Sequence, residues 1–172
     1  MPGCSGWEER VLAYSDRAPV WRVREALEHE GVAFELVELT QTARSAQEAA
    51  QALGCPVEAI VKSLIFQASD SGRPVLVLAS GPNRVSERRV AELLGEPIEK
   101  ADAAFVRERS GFAIGGVPPV GHTERPVAFV DGDLLAEDEV WAAAGHTHVV
   151  FGMNPSELPR ITGGRVARVT EG

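Results

Sequence analysis

Two stretches of this chain combine residue types that could do chemistry. Lys62 stands inside the apolar run IVKSLIF, residues 60–66. Fully buried lysines are rare, so a lysine there either points outward from a strand or is kept for its charge. Ser63 follows, and strand alternation turns it away from whatever Lys62 faces, unless the strand begins or bulges there. The second stretch is GFAIGGVPPVG, residues 111–121, with four glycines, two adjacent prolines and no charge before His122. Glycine admits positive φ and lets a ligand approach the main chain. Pro118 and Pro119 fix φ, remove two N–H donors and keep Val117 and Pro118 out of helical geometry. The result is a rigid apolar loop offering the N–H groups of Gly115, Gly116 and Val117. It reads either as a tight connection between core elements or as a cradle for a ligand. No Gly-Lys-Ser/Thr follows it, and no helix pattern does, which excludes a Walker loop and a dinucleotide fingerprint.

Other reactive types are more scattered. His146 and His148 form a His-Thr-His run, and on a strand they share a face. No third ligand shows metal spacing, which argues against zinc. His146 otherwise reads as an exposed loop histidine or as a contact for a substrate end. Cys55 sits between a helix-stopping glycine and Pro56, a setting for a small packed residue rather than a nucleophile. Arg84, Arg88 and Arg89 gather at the start of one helix, either as a solvated face or as a phosphate contact.

The elements that must position these residues follow from periodicity and punctuation. The spacing predicts an amphipathic helix over 21–30, stopped by Gly31. A strand is predicted over 33–39. Ser45 with Glu48 makes a capping box that opens a helix through Leu53, and Gly54 closes it. Residues 56–59 read as one short turn. Strands over 60–68 and 74–79, around the Asp70-Ser71-Gly72 turn, read as a hairpin. Ser86 caps a helix through Leu94 and Asp102 one through Val106. Beyond the loop, a strand is predicted over 127–130, a short helix over 137–144, a strand over 149–153, a helical turn from Asn154 and an edge strand over 165–169. This mixture lacks the regular alternation of a doubly wound sheet.

At 172 residues the chain is expected to form one domain over 21–172, preceded by an arm or short helix over 1–20. No run approaches the roughly 20 apolar residues of a membrane span. The start of the chain lacks the basic-then-apolar pattern of a signal peptide, and Cys4 and Cys55 form no CxxC pair, so a reduced, cytoplasmic protein is expected. The net charge of −8 at pH 7 excludes a broad electrostatic footprint on nucleic acid. Any RNA contact must be a local basic patch.

The loop SGFAIGGVPPVG, residues 110–121, resembles the signature of the YbaK/EbsC family. That family includes free-standing aminoacyl-tRNA deacylases related to the editing domain of bacterial prolyl-tRNA synthetase. Three further stretches agree in order and spacing: IVKSLIF at 60–66, RVSERRVAELLG at 84–95, and AAG at 143–145 leading to MNPSEL at 153–158. The likeness runs from about Trp21 to Val169.

The resemblance implies an α/β fold of the α+β type: a mixed, largely antiparallel sheet curved into a partial barrel with surrounding helices. It implies a hydrolase that deacylates mischarged aminoacyl-tRNA, tRNA for proline or a related species, carrying Ala, Ser, Thr or Cys. The expected partner is the tRNA acceptor end, with an aminoacyl-tRNA synthetase as a second possible partner. The expected state is a monomer or homodimer off the membrane, with no cofactor and no metal. The resemblance places the catalytic positions at Lys62 and Gly115. Substrate contacts are expected at Ser63, Gly116, Val117, Pro118, Gly145 and His146, with Leu39 and Phe66 as apolar residues lining the pocket. Lys62 would serve as a fixed positive charge, or as a base if buried deeply enough. The N–H groups of Gly115, Gly116 and Val117 would receive the oxyanion of ester hydrolysis. An aminoacyl ester is reactive enough that orientation and desolvation suffice without a Ser or Cys nucleophile. The chain departs from some cysteine-specific relatives, those that carry Ser at the position of Ala143 and an acid at that of Val150. A non-catalytic module binding an RNA end, a nucleotide or a synthetase is the competing expectation. A different small-ester or amide hydrolase on the same scaffold is another.

Overall fold

The computed structural model describes residues 17–41 and 43–171. The arm expected over 1–20 lies outside the described residues up to Asp16. From Ala18 the chain is already helical, because Pro19 occupies the first turn of α1 (Ala18–His29), where its missing N–H costs nothing. The predicted start at residue 21 was late for that reason. Val20, Val23 and Leu27 on one face of α1 are fully buried.

Next come β1 (Phe34–Glu38), α2 (Ala46–Leu53), a 3₁₀ turn (Val57–Ala59), β2 (Val61–Ala68) and β3 (Pro74–Ser80). Then α3 (Glu87–Leu94), β4 (Ile98–Lys100) and α4 (Ala103–Ser110) precede the glycine-proline loop. After it come β5 (Val127–Asp131), β6 (Val140–His146), β7 (Val149–Met153), α5 (Leu158–Thr162) and β8 (Arg165–Ala167). The predicted caps close as expected. Ser45, Ser86 and Asp102 each accept a backbone N–H from the third residue on, and Gly54, Gly95 and Gly111 end α2, α3 and α4 in the left-handed region.

The helix expected over 137–144 is instead β6. Alanine-rich WAAA favours a helix locally. Here, though, β6 pairs antiparallel with β7, and Val140, Ala142 and Ala144 enter the main core. Tertiary burial decides the conformation.

The strands form two open sheets rather than a closed barrel. One has the order β1-β7-β6, all antiparallel. The other has the order β4-β2-β3-β5-β8, with β2 antiparallel to β3 and β4, and β5 parallel to β3 and β8. A single parallel bridge, Ile60 to Trp141, links them. Every residue of β3 is buried. Leu76 and Leu78 face a core shared with α1, β6 and β7, while Val75 and Val77 face a second core with Phe66 and Val90. β4 pairs only with Phe66, Gln67 and Ala68. The first half of β2 therefore has a free edge, and it opens toward the second sheet.

Candidate functional site

That free edge borders a cavity of about 370 Å³. Lys62 and Ser63 line it from β2, Gly115 and Val117 from the glycine-proline loop, Leu39 from the end of β1, and His146 from β6. Lys62 and Ser63 lie on opposite faces of β2 yet both reach the cavity, because it runs along the strand's unpaired edge. The alternation argument that would turn Ser63 away fails for that reason.

The loop is held from several sides. Arg22 donates from Nη2 to the Gly111 carbonyl at 2.6 Å, and its guanidinium lies 4.6 Å from the centre of the Phe112 ring. Phe112 is buried, and its N–H is accepted by Ser110 Oγ. At the far end His122 Nε2 donates to the Pro118 carbonyl at 2.6 Å. Burial pushes that imidazole below its ordinary pKa, against the opposite pull of the Pro118 carbonyl, so it is neutral near pH 7. The diproline is clamped by its own chain, and residues 116–120 are buried while Ala113, Ile114 and Gly115 are exposed.

Four expected substrate contacts do not line the cavity. Phe66 belongs to the second core, with Val75, Val77 and Val90, because β4 covers β2 at that point. Pro118 is buried beneath the loop. At Gly116 and Gly145 two pieces of main chain meet. A Cβ on Gly116 would come within 3.0 Å of Gly145 C and His146 N. Gly145 sits at φ 93° in the irregular stretch of β6 between Ala143 and His146, where a Cβ would meet the Pro19 carbonyl at 2.8 Å. The loop thus rests on that irregularity, which rests on the start of α1. Gly116 N–H is also occupied, donating to the Ala113 carbonyl at 3.0 Å. The expected cradle of three N–H groups is reduced to Gly115 and Val117. Neither N–H has a hydrogen-bond partner among the described residues.

Lys62 is oriented by a turn. Its Nζ donates to the Asn83 carbonyl at 2.5 Å. Burial lowers the ammonium's pKa from the usual lysine value, and the carboxylate of Asp131 pulls it back up. Ser63 Oγ is buried without a hydrogen-bond partner among the described residues. His146 Nδ1 accepts from the His148 N–H at 3.0 Å, which leaves Nε2 to carry the proton in the neutral ring. Burial first, then the charges of His148 and Arg17, push the His146 pKa down.

Several lining residues escaped the sequence reading. Trp141 is the largest. It was hidden by the helix expected over 137–144, and the signal was Gly152, its cross-strand neighbour. The indole covers that glycine so closely that a Cβ there would lie 2.9 Å from a ring carbon. Ile114 and Arg44 also line the cavity. Arg88 and Arg89 are elsewhere and engaged: Arg88 pairs with Glu92 and Glu171, and Arg89 approaches Glu92. Cys55 packs against the cluster that contains Trp141, and burial raises its thiol pKa, which disfavours the thiolate. No group of three or more His, Cys, Asp or Glu side chains among the described residues is placed to hold a metal ion.

The chain is similar to known proteins over most of its length. The profile of the aminoacyl-tRNA editing domain matches residues 40–161. The uncharacterized protein YwhH of Bacillus subtilis (strain 168) is 24% identical over 132 residues, covering 77% of this chain and 83% of YwhH. A proline–tRNA ligase of Bacillus licheniformis is 33% identical over 148 residues, covering 81% of this chain and 26% of the ligase. The chain thus spans about a quarter of the ligase it matches. Among solved structures, a candidate trans-editing enzyme for prolyl tRNA synthetase is 45% identical with a TM-score of 0.85, covering 91% of this chain and 99% of its own. The protein APE2540 is 33% identical with a TM-score of 0.80, covering 87% and 99%.

Proposed function

The chain belongs to the aminoacyl-tRNA editing domain family, and from that premise we propose that it is a hydrolase that clears mischarged tRNA by water attack on the aminoacyl ester. The observation that carries this reading is one cavity lined both by Lys62 and by Gly115 and Val117 of the glycine-proline loop. The ester carbonyl lies against the loop, where the N–H groups of Gly115 and Val117 take up the charge of the tetrahedral oxyanion. The Lys62 ammonium fixes the terminal ribose or its phosphate at the mouth and stays cationic, since a general base would need a deeper burial than this half-buried position gives. The apolar walls of Leu39, Val61 and Trp141 exclude bulk water and leave room for a small side chain. The ester needs no protein nucleophile because orientation and desolvation lower a barrier that is already modest. A small amino acid such as Ala, Ser, Thr or Cys, on tRNA for proline or a related species, is the substrate class we assign. The link to prolyl-tRNA synthetase is supported by the kinship with its ligases.

The test is a panel of mischarged tRNAs with protein kept substoichiometric. More than one product per protein molecule is expected, and binding without turnover would remove the enzymatic reading. Lys62→Ala should lower the deacylation rate on the order of 100-fold with its melting temperature preserved. Parental activity in that variant would take Lys62 out of the mechanism.

A further inference from the structure

Asp131 ends β5 with its carboxylate buried at 3% exposure. It is not spent on an ordinary strand end. Oδ2 accepts from the Ser80 N–H at 3.0 Å and from Asn83 Nδ2 at 2.7 Å. Oδ1 accepts from the Asp133 N–H at 3.0 Å. Asn83 Nδ2 also reaches Asp133 Oδ2 at 2.7 Å, and Asn83 N–H closes the turn on the Ser80 carbonyl at 2.9 Å. Ser80 Oγ donates to the Glu58 carbonyl at 2.7 Å, tying the turn to the 3₁₀ segment before β2. One carboxylate therefore grips both ends of the turn from Ser80 to Asn83. The carbonyl at the end of that turn is the acceptor for Lys62 Nζ.

Free lysine side chains sample many rotamers, and an electrostatic role in a reaction demands one position. We propose that Asp131 and Asn83 are positioning residues for Lys62: the buried carboxylate fixes the Ser80–Asn83 turn, and the turn's carbonyl holds the ammonium at the mouth of the cavity. This rests on the reading that Lys62 orients the ester. The chemistry is balanced by charge rather than by any bond exchange. Asp131 supplies a fixed negative charge behind the acceptor, and Asn83 transmits its position. The charged group that acts on the ammonium is Asp131 at the end of β5, while Asp133 in the 3₁₀ segment that follows bonds Asn83 Nδ2. Arg44 and His146 line the same cavity from the entry to α2 and from β6.

The experiment compares Asp131→Asn, Asn83→Ala and Lys62→Ala in deacylation of mischarged tRNA from about pH 6 to about pH 9, with spontaneous hydrolysis subtracted. Asp131→Asn is expected to lower kcat about 10- to 100-fold with KM little changed. It should also move the alkaline limb to lower pH, because an ammonium that loses a neighbouring negative charge gives up its proton more readily. Asn83→Ala keeps the main-chain acceptor and the Asp131 charge. It should lower kcat by about 3- to 10-fold and leave the limb in place. An inactive Lys62→Ala beside Asp131→Asn and Asn83→Ala of parental kcat overturns the positioning role while sparing the editing reaction. An unmoved limb in Asp131→Asn overturns it as well. A fully active Lys62→Ala overturns the premise instead. Should Asp131→Asn fail to fold, the half-buried Asn83 carries the test alone: loss of kcat at an unchanged melting temperature supports the role, and parental kcat overturns it.

Discussion

A buried hydroxyl with nothing to bond is costly, about 1–3 kcal/mol, and Ser63 Oγ is in that position beside the cavity. Evolution tolerates such an atom most readily where a substrate supplies the missing partner. Ser63→Ala should therefore raise the melting temperature by about 2–12 °C while lowering turnover on the preferred mischarged tRNA. Thermal unfolding and single-turnover deacylation measure the two effects. A variant that loses stability and keeps parental turnover would show that the hydroxyl has a structural partner and no role with substrate. Ser63 and Lys62 were both legible in the sequence as polar interruptions of an apolar run. Asp131 and Asn83 were not, because a carboxylate at a strand end and an asparagine in a Gly-Pro-Asn turn are ordinary loop chemistry until their partners across the chain are known.

The element that decides the cavity's shape is β6. Its irregular stretch around Gly145 receives the loop at Gly116, and its Trp141 covers Gly152 of β7. Gly152 is thus a packing glycine, kept for want of room above it. Gly152→Ala should drive the indole toward the cavity, cost about 1–3 kcal/mol of stability and reduce kcat/KM for the largest accepted amino acid before the smallest. Denaturant midpoints and a substrate series check this. Equal losses for all substrates would mean that the indole does not move into the cavity. Punctuation revealed the helices well, since each cap is a local hydrogen bond. It failed on β6, where an alanine run has helical propensity and only pairing with β7 makes it a strand.

The whole molecule carries a net charge of −8 and, among the described residues, no helix long and apolar enough to cross a membrane. The cations lining the cavity are Lys62 and Arg44, while Arg73, Arg88, Arg89, Arg109 and Arg160 are in ion pairs with carboxylates. Binding of tRNA should then depend weakly on salt. A plot of log affinity against log salt should have a slope of about −2 or shallower, since each neutralised phosphate of a single strand contributes about −0.7. Affinity measured across a salt series tests it. A slope steeper than about −4 would point to a broad basic contact beyond the cavity.

By itself the sequence determined most of the helices and their caps, the hairpin around Lys62 and the family resemblance, because these rest on neighbours within a few residues. Tertiary structure alone decided that the strands divide into two sheets and that β2 keeps one edge free. It also decided that Gly116 and Gly145 meet backbone to backbone, and that Asp131 stands behind Lys62. Those are contacts between segments tens of residues apart, whose energies depend on burial and on which polar atoms remain unpaired. No local pattern encodes them.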